Sequence, residues 1–355
     1  MTASASDAPA AGRLAPGGRI LVVKLSSLGD LFHVLPAAHA LATGAGVRLD
    51  WVTQPEYADL VRCFPDIDRV IPFPRTSFSR GFGPFLRELR RTRYDWILDF
   101  QGLLKSALVA RLARGRIRVG PSFHREGSRW LYSAVAGPRD KCRHAVEENL
   151  DMARFFGLPA AEPVFPVRFP AAPRREPAPR IAVLPVSRWP TKNWPVASFA
   201  RAARGLQETY GATIFLIGGA DNRDAAASIE SQLQAPAVNC AGRLSLVETG
   251  SLLAEMQLLI SNDSGPMHMA AALGVPVLAV FGPTDPVRTG PFGAGHRVLR
   301  ADLPCMPCFD RQCRLGDVRC MAGVAPEAVI QAAKEMLAGA ARDTDRFPRV
   351  RGEGR

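Results

Sequence analysis

An acidic residue follows the first apolar run of the chain, at a place where it could act as a base. The run RILVVK leads into LSSLGD and then into LFHVLPAAHALA, so Asp30 lies between a predicted buried strand and a predicted helix over 31–43. Ser26, Ser27 and Gly29 are small, which would let a substrate hydroxyl approach the carboxylate. An aspartate at a helix start is also a good N-cap. The two interpretations are compatible, and both stay open.

A cationic loop follows the first strand of the second half, in VLPVSRWPTKNWP. The strand is predicted to end near Val186, and Pro195 is placed to open a helix. Between them lie two hydroxyls and two cations: Ser187, Arg188, Thr191 and Lys192. A lysine in such a loop can act as a point charge against a phosphate. A solvated basic loop is the alternative.

A third loop has the composition of an anion site, in LLISNDSGPMHM. The strand is predicted to end at Asn262, residues 263–265 to form the turn, and Pro266 to be the first helical residue. Unsatisfied N–H groups, the Ser264 hydroxyl and the positive end of the helix dipole suit a phosphate. A plain turn in which Asp263 caps the helix is the alternative.

A fourth loop, GGADNRD, contains Gly218 and Gly219, which would let a ligand approach the backbone. Asp221 and Asp224 could accept ribose hydroxyls, although Asp221 is also a good helix cap. No GxGxxG or GxxxxGK[ST] motif follows a strand, which argues against dinucleotide dehydrogenases and P-loop enzymes.

The elements that must position these loops alternate between apolar runs and helical patterns. This alternation predicts two doubly wound α/β domains with parallel sheets, which bind ligands beyond the carboxyl ends of their strands. Strands are predicted in the first half at RILVVKL, VRLDWVT, RVIPF, WILDF and IRVG, and in the second at RIAVLPV, ATIFLIGG, AVNCAG, LLISND and VPVLAVFG. The predicted organisation is a disordered lead-in (1–18), a first domain (19–165), a Pro-rich linker (166–180), a second domain (181–340) and a disordered tail (341–355).

Composition limits the class of protein. The 355 residues are enough for two domains, and 47% hydrophobic with 22% charged residues is typical of a soluble globular chain. We expect neither a secretory signal nor a spanning helix, and hence a cytoplasmic location. The net charge of +12 favours an anionic partner, although an arginine-rich composition is also what a GC-rich genome produces.

These motifs together resemble glycosyltransferase family 9, the ADP-heptose:lipopolysaccharide heptosyltransferases. The resemblance spans about residues 19–335 and is most like the type I members, which add the first heptose to the Kdo region of the inner core. It rests on VVKLSSLGDLFHVLPA, YDWILDFQGLLKSALVARL, HAVEENL, TKNWP, NDSGPMHMAAALGVPVLAVFGPTDP and the cysteine segment that begins at CMPCFDRQC.

The resemblance implies a GT-B fold, in which two Rossmann-like domains face a central cleft, and inverting transfer that needs no metal. Asp30 matches the family's general base. Ser187, Lys192, Ser264 and Gly265 match positions that hold the donor diphosphate, and Lys192 with the helix N-terminus would stabilise departing ADP. Three further residues match the donor sugar and nucleotide region: Asp263, His268 and, more loosely, Asp221.

The implied partners are ADP-heptose and an anionic glycolipid, either Kdo-lipid A or a heptosylated core. Basic residues cluster in the first domain, as such an acceptor at the cytoplasmic face of the inner membrane would select. The predicted acceptor-side residues, besides the small residues around Asp30, are Gly102, Lys105, Arg125 and His144. Addition of a later heptose, as in types II and III, or transfer of another nucleotide-linked sugar is the alternative.

Four of the seven cysteines fall close together, at Cys305, Cys308, Cys313 and Cys320. Their spacing would let four thiolates surround one structural zinc or iron ion, and a reducing cytoplasm disfavours disulfides. A loop of free thiols is the alternative. No cofactor is expected for catalysis.

Two rival functions remain. A nucleotide-sugar epimerase on the same scaffold would need no acceptor and would leave the basic first domain without a purpose. A nucleic-acid binder is suggested by the pI of about 10.0 alone, and no recognised module supports it. No nucleic-acid partner is therefore expected.

Overall fold

Two all-parallel sheets organise the chain. The structure is a computed structural model that describes residues 14–75, 78–159 and 162–342. The chain separates into two compact units between Arg168 and Phe169, inside the predicted linker. The described residues between Arg154 and Arg180 contain no helix or strand.

The first unit is a six-stranded sheet in the order β3-β2-β1-β4-β5-β6, with every pairing parallel. Its strands are β1 (Arg19–Val23), β2 (Arg48–Thr53), β3 (Ile67–Pro72), β4 (Arg93–Asp99), β5 (Arg114–Pro121) and β6 (Ala134–Ala136). Its helices are α1 (Leu28–Ala45), α2 (Ala58–Val61), α3 (Phe78–Leu89), α4 (Leu104–Leu112) and α5 (Ala145–Arg154).

The second unit repeats this architecture, with the strand order β12-β11-β10-β7-β8-β9. Its strands are β7 (Arg180–Leu184), β8 (Thr213–Leu216), β9 (Val238–Asn239), β10 (Leu258–Asn262), β11 (Val277–Phe281) and β12 (Arg297–Arg300). Its helices are α6 (Val196–Tyr210), α7 (Arg223–Glu230), α8 (Leu246–Leu253), α9 (Gly265–Ala272), α10 (Pro286–Thr289), α11 (Arg319–Ala322) and α12 (Pro326–Arg342).

Burial explains why the central strands form. Four of the five residues of β1 and all five of both β10 and β11 are buried, as expected for strands covered on both faces by helices. In the second unit, Trp194 is buried and packs edge-on against Phe199 of α6, and its indole N–H donates to the Val324 carbonyl at 2.9 Å. This contact fastens the segment before α6 to the segment before α12.

The predicted fold class, two doubly wound α/β units, is confirmed. Sequence patterning misses two of the four edge strands, β6 and β12, which are three and four residues long and incompletely buried. The connection between β2 and β3 is a 3₁₀ turn over Pro55–Tyr57 followed by the short α2.

The predicted lead-in and tail lie largely outside the described residues. Of the lead-in, residues 14–18 are described, and the Gly17 N–H donates to the Gly46 carbonyl at 2.8 Å. No helix among the described residues has both the length and the apolar composition to cross a bilayer.

Candidate active site

The Asp30 loop lies at the point of the first sheet where the strand order reverses. Strands β1 and β4 are neighbours there, and the chain leaves them in opposite directions to build the two halves of the sheet. The loop after β1 leads to Asp30, while β4 ends at Asp99 and the loop after it contains Gln101 and Gly102. Ligand sites of open α/β sheets form at this position.

Asp30 is the third residue of α1, and Ser27 occupies the N-cap. The Asp30 carboxylate accepts the Ser27 backbone N–H at 2.9 Å and the Ser27 hydroxyl at 3.0 Å, both on Oδ2. The helix therefore begins three residues earlier than predicted, and Asp30 supports the cap without being the cap residue itself. Its side chain is 42% exposed, which leaves Oδ1 accessible to a substrate.

Two basic side chains adjoin the Asp30 carboxylate. The His33 Nδ1 atom lies 3.7 Å from Asp30 Oδ1, and Lys24 is buried beneath the loop. Burial alone would raise the pKa of Asp30, but Lys24, His33 and the Ser27 N–H outweigh it and hold that pKa well below its usual range. Asp30 is consequently ionised at neutral pH.

Lys24 connects the two loops at the reversal point. Its ammonium donates to the Phe100 carbonyl at 3.0 Å, and its charge is balanced by Asp30 and Asp99. Burial lowers the pKa of Lys24, and these two carboxylates oppose that effect. A buried ammonium needs such partners, so Lys24 couples the position of Asp30 to the end of β4.

Gln101 fixes the backbone before Asp30. Its side-chain Oε1 accepts the N–H groups of Leu25 at 3.2 Å and Ser26 at 3.1 Å. The loop after β4 thus holds the loop after β1 by two hydrogen bonds, in which backbone N–H groups donate to the Gln101 side chain.

Gly102 is a structural turn residue. Its φ is +69°, and an added Cβ would lie 2.9 Å from Pro121 Cγ, so no other residue fits without strain. Its N–H donates to Asp99 Oδ1 at 3.2 Å, and its carbonyl accepts the Arg125 N–H at 2.7 Å. Burial raises the pKa of Asp99, opposed by hydrogen bonds from Tyr132, Ser106 and the Gln101 and Gly102 N–H groups.

The other predicted acceptor-side residues are distributed around this loop. Gly29 is buried in the first turn of α1, whereas Lys105 and Arg125 are exposed. His144 is the N-cap of α5 and accepts the Val146 N–H at 3.1 Å. Its ring packs edge-on against His33 with centroids 5.5 Å apart, so the structure brings His144 toward the Asp30 group.

An arginine-lined depression lies elsewhere on the first unit. It has a volume of about 850 Å³. Its lining residues on α3 and the segments nearby include Arg87, Arg90, Arg91 and Arg114. It contains none of the residues that contact Asp30.

The predicted donor loops of the second unit meet at its own reversal point, where β7 and β10 are neighbours. The loop after β7 carries Ser187 to Lys192, and the loop after β10 carries Asp263 and Ser264. Asn262, fully buried at the end of β10, accepts the Trp194 N–H at 2.9 Å and donates to the Pro185 carbonyl at 2.8 Å. These bonds hold the two loops side by side.

Lys192 and Asp263 form an ion pair between the loops after β7 and β10. The Lys192 ammonium lies 2.6 Å from Asp263 Oδ2, which also accepts the Thr284 hydroxyl at 2.7 Å. The ammonium lies 4.5 Å from the ring centroid of Trp189 as well. An ammonium carries three N–H donors, so this arrangement directs one of them to Asp263 and leaves capacity for an anion.

The hydroxyls of the loop after β7 are engaged within the protein. Ser187 is buried, and its Oγ contacts Asn193 Oδ1 at 2.8 Å. The Thr191 hydroxyl donates to the Asp310 carbonyl at 2.8 Å. Arg188 is exposed. Ser187 and Thr191 therefore shape the loop, while Lys192 and Arg188 supply its charge.

The start of α9 has the features of an anion site. Ser264 is the N-cap and Gly265 the first helical residue, one position earlier than the sequence indicates. The Ser264 Oγ is buried and lacks a hydrogen-bond partner within the described part of the chain. A buried hydroxyl at a helix N-terminus, beside free N–H groups, suits a phosphate oxygen. His268 is buried one turn further along α9.

Asp221 is exposed in the 3₁₀ turn Ala220–Asn222 that follows β8. The adjacent Asn222 is buried and accepts the Val186 N–H at 2.9 Å, which links this turn to the loop after β7. Asp221 is thus next to the donor loops with its carboxylate accessible to solvent.

The predicted structural metal site is not supported. Among residues 14–75, 78–159 and 162–342, no group of three or more His, Cys, Asp or Glu side chains could hold a metal ion. Cys320 is buried in α11, where it packs into the apolar core of the second unit. Cys305 and Cys308 are exposed and Cys313 is half-buried, so all four remain free thiols.

Sequence reasoning overlooks several residues that position the loops at the two reversal points. They are Lys24, Gln101, Asn193, Asn222, Asn262 and Thr284. A lysine at the end of an apolar strand is a signal for Lys24, because buried lysines need charged partners. The amide side chains give no comparable signal, since their hydrogen bonds join segments far apart in the chain.

Two doubly wound units, each with polar loops at its reversal point, define an α/β protein whose candidate ligand sites lie at the carboxyl ends of its strands. The family model described as glycosyltransferase family 9 (heptosyltransferase) matches residues 83–319. The chain is 33% identical over 313 residues to lipopolysaccharide heptosyltransferase 1 of Pseudomonas aeruginosa, covering 83% of this chain and 87% of that protein. The chain belongs to glycosyltransferase family 9, and it is a glycosyltransferase.

Further relatives agree with this assignment. Lipopolysaccharide heptosyltransferase 1 of Salmonella typhimurium is 31% identical and covers 78% of this chain and 92% of its own length. The solved E. coli heptosyltransferase WaaC with ADP superposes with a TM-score of 0.73 at 26% identity, covering 90% of this chain and 99% of that one. The predicted family is therefore confirmed.

Proposed function

We propose that the protein transfers heptose from ADP-heptose to the Kdo region of the lipopolysaccharide inner core, with inversion at the anomeric carbon. The donor is supported by the relatives named for heptosyl transfer and by a solved WaaC complex with ADP-2-deoxy-2-fluoro heptose at 26% identity. The first acceptor is supported by the relatives named heptosyltransferase 1, whose matches span most of this chain.

The observation that carries the mechanism is the ionised, accessible carboxylate of Asp30. Its Oδ2 is occupied by Ser27, and its Oδ1 is available to the proton of an acceptor hydroxyl. As the acceptor oxygen bonds to the anomeric carbon, Asp30 takes the proton and the bond to ADP breaks. Lys24, His33 and Gln101 position this base.

Departure of ADP leaves negative charge on the diphosphate. Lys192, the N–H groups at the start of α9 and the Ser264 hydroxyl are suited to stabilise it. Preorganised donors of this kind supply the positive charge that a metal ion would otherwise provide, and on this basis we propose transfer without a catalytic metal. Asp221 would bind the ribose, and His268 and Asp263 would line the donor sugar region.

The acceptor is a lipid, so the enzyme would work on the cytoplasmic face of the inner membrane as a peripheral protein. Lys105, Arg125 and the exposed arginines of the first unit would attract its carboxylates and phosphates.

The test is a transfer assay with ADP-heptose and two acceptors, Kdo-lipid A and a core that already carries heptose, with product mass as the readout. Addition of one heptose to Kdo-lipid A supports the proposal. Transfer to the heptosylated core alone would assign a later step, and turnover of ADP-heptose without any acceptor would indicate an epimerase.

A further inference from the structure

Helix α4 presents an apolar stripe to solvent. Leu104, Leu108 and Leu112 are 42%, 49% and 38% exposed. Their spacing of four residues places them along one face of the helix, while Ser106, Ala107 and Val109 face the interior. Large aliphatic side chains in a continuous exposed row mark an interaction surface more often than singly scattered ones do.

A highly exposed tryptophan lies on a turn that contacts this helix. Trp130 is 89% exposed on the 3₁₀ turn Ser128–Leu131, and that turn packs against α4. Each element is also hydrogen-bonded to the segment that precedes the other, from the Leu104 N–H to Glu126 Oε2 at 3.2 Å and from the Ser128 hydroxyl to the Gly102 carbonyl at 3.0 Å. Trp130 is therefore on a turn that is fixed against α4.

The same segment is strongly basic. From residue 104 to 131 six exposed side chains are cationic and one side chain, Glu126, is acidic. The exposed cations are Lys105, Arg111, Arg114, Arg116, Arg125 and Arg129. Arg111 and Lys105 flank the leucine row on α4 itself.

We propose that the leucine row of α4, Trp130 and the surrounding cations form the surface by which the enzyme docks on an anionic lipid bilayer. This inference rests on the proposed function, since it identifies how the enzyme reaches a lipid acceptor. Leucines partition into the acyl boundary, tryptophan prefers the headgroup level, and arginine and lysine attract anionic headgroups. The surface adjoins Gly102, on the loop that supports Asp30.

Charge argues for a bilayer as the occupant. A symmetric dimer formed through this face would bring the six cations of one copy against the six of the other. Their repulsion opposes association. A nucleic acid would use the cations and leave the aliphatic row unmatched. An anionic bilayer satisfies both parts of the surface.

The experiment uses the full-length protein and vesicle sedimentation. One set of vesicles is phosphatidylcholine, and the other is an equimolar mixture of phosphatidylcholine and phosphatidylglycerol. The variants are Trp130→Ala, the pair Leu108→Ser/Leu112→Ser, and the triple Arg111→Gln/Arg114→Gln/Arg116→Gln. Val287→Ser, which alters a 60% exposed side chain in the second unit, is the matched control.

We expect the wild type and Val287→Ser to bind the anionic vesicles and to bind pure phosphatidylcholine much more weakly. The leucine pair should lower vesicle partitioning by about tenfold or more, because the two substitutions remove about six carbon atoms of apolar side chain and the burial of only about two methylenes already contributes about tenfold. Trp130→Ala should also lower vesicle partitioning, and it should abolish the blue shift of tryptophan emission on vesicle addition. The arginine triple should remove the preference for phosphatidylglycerol.

Equal binding by the wild type and all variants, or no binding to either vesicle, would overturn the proposal. So would a dimer in solution that Trp130→Ala or the leucine pair dissociates. A transfer assay with acceptor dispersed in detergent separates this inference from the proposed function. In detergent, the Leu108→Ser/Leu112→Ser variant should transfer heptose at the wild-type rate. Absence of transfer by the wild type in detergent would refute the proposed function, whereas the vesicle result stands independently.

Discussion

Replacement of Gln101 by leucine isolates the connection between the two loops at the reversal point of the first sheet. The side chains are similar in size, but leucine cannot accept the N–H groups of Leu25 and Ser26. Both hydrogen bonds are only partly buried, so each lost bond costs about 0.5–1.5 kcal/mol. We expect Gln101→Leu to lower the free energy of unfolding by about 1–3 kcal/mol.

The effect on catalysis should be larger than the effect on stability. The two N–H groups belong to the loop that leads directly into α1, so their release lets Asp30 shift relative to the acceptor. A displacement of about 1 Å at a reacting group can cost about 10²-fold in rate. We therefore expect the turnover of Gln101→Leu on Kdo-lipid A to fall by about 10²-fold while its affinity for ADP stays unchanged.

Gln257→Leu provides the matched control. Gln257 Oε1 accepts the Arg180 N–H at 2.8 Å in the second unit, at the opposite end of β7 from the donor loops. Its loss should lower stability by about 0.5–1.5 kcal/mol and leave turnover unaffected. Chemical unfolding and steady-state transfer, measured on both variants, decide the matter. Wild-type turnover by Gln101→Leu would refute the role given to this residue.

Three further predictions concern single positions. Gly102→Ala should lower the free energy of unfolding by about 1–3 kcal/mol, since φ is +69° and the new Cβ meets Pro121; chemical denaturation checks this. Lys192→Met should reduce turnover about 10²- to 10³-fold and weaken ADP binding measured by calorimetry, because the leaving diphosphate loses its ammonium. Burial lowers the pKa of His296 to about 4, and the imidazole accepts the Val277 N–H in its neutral form. The unfolded chain takes up this proton near pH 6.5, so stability should fall by about 2–3 kcal/mol between pH 6.5 and 4, and His296→Asn should lose that part of the dependence in unfolding curves.

The architecture can be predicted from the sequence because strong, local signals specify it. The buried stretches ILVV of β1 and VLAVF of β11 are apolar throughout, and proline or glycine marks the loops between elements. The edge strands β6 and β12 escape prediction since their pairing depends on neighbours that only the folded sheet provides.

The candidate site is predictable to the level of its loops. Asp30, Lys192 and Ser264 follow strands that end at the reversal points, and this placement can be inferred from the strand pattern. Partners such as Gln101 and Thr284 cannot, because they act through contacts between distant segments. The cysteine spacing allows either a metal site or a loop of free thiols, and no group of three or more His, Cys, Asp or Glu side chains among the described residues could hold a metal ion.

The central claim is that Asp30 is the base for heptosyl transfer to an acceptor hydroxyl. Asp30→Asn keeps an oxygen for the Ser27 N–H and removes the basic carboxylate, and Asp59→Asn, at an exposed position on α2, is the control. The most direct measurement is single-turnover transfer from ADP-heptose to Kdo-lipid A, with ADP-heptose binding measured in parallel. We predict a rate about 10²- to 10⁴-fold lower for Asp30→Asn, with donor binding and the Asp59→Asn rate unchanged. Near-wild-type transfer by Asp30→Asn with the donor bound would contradict the account.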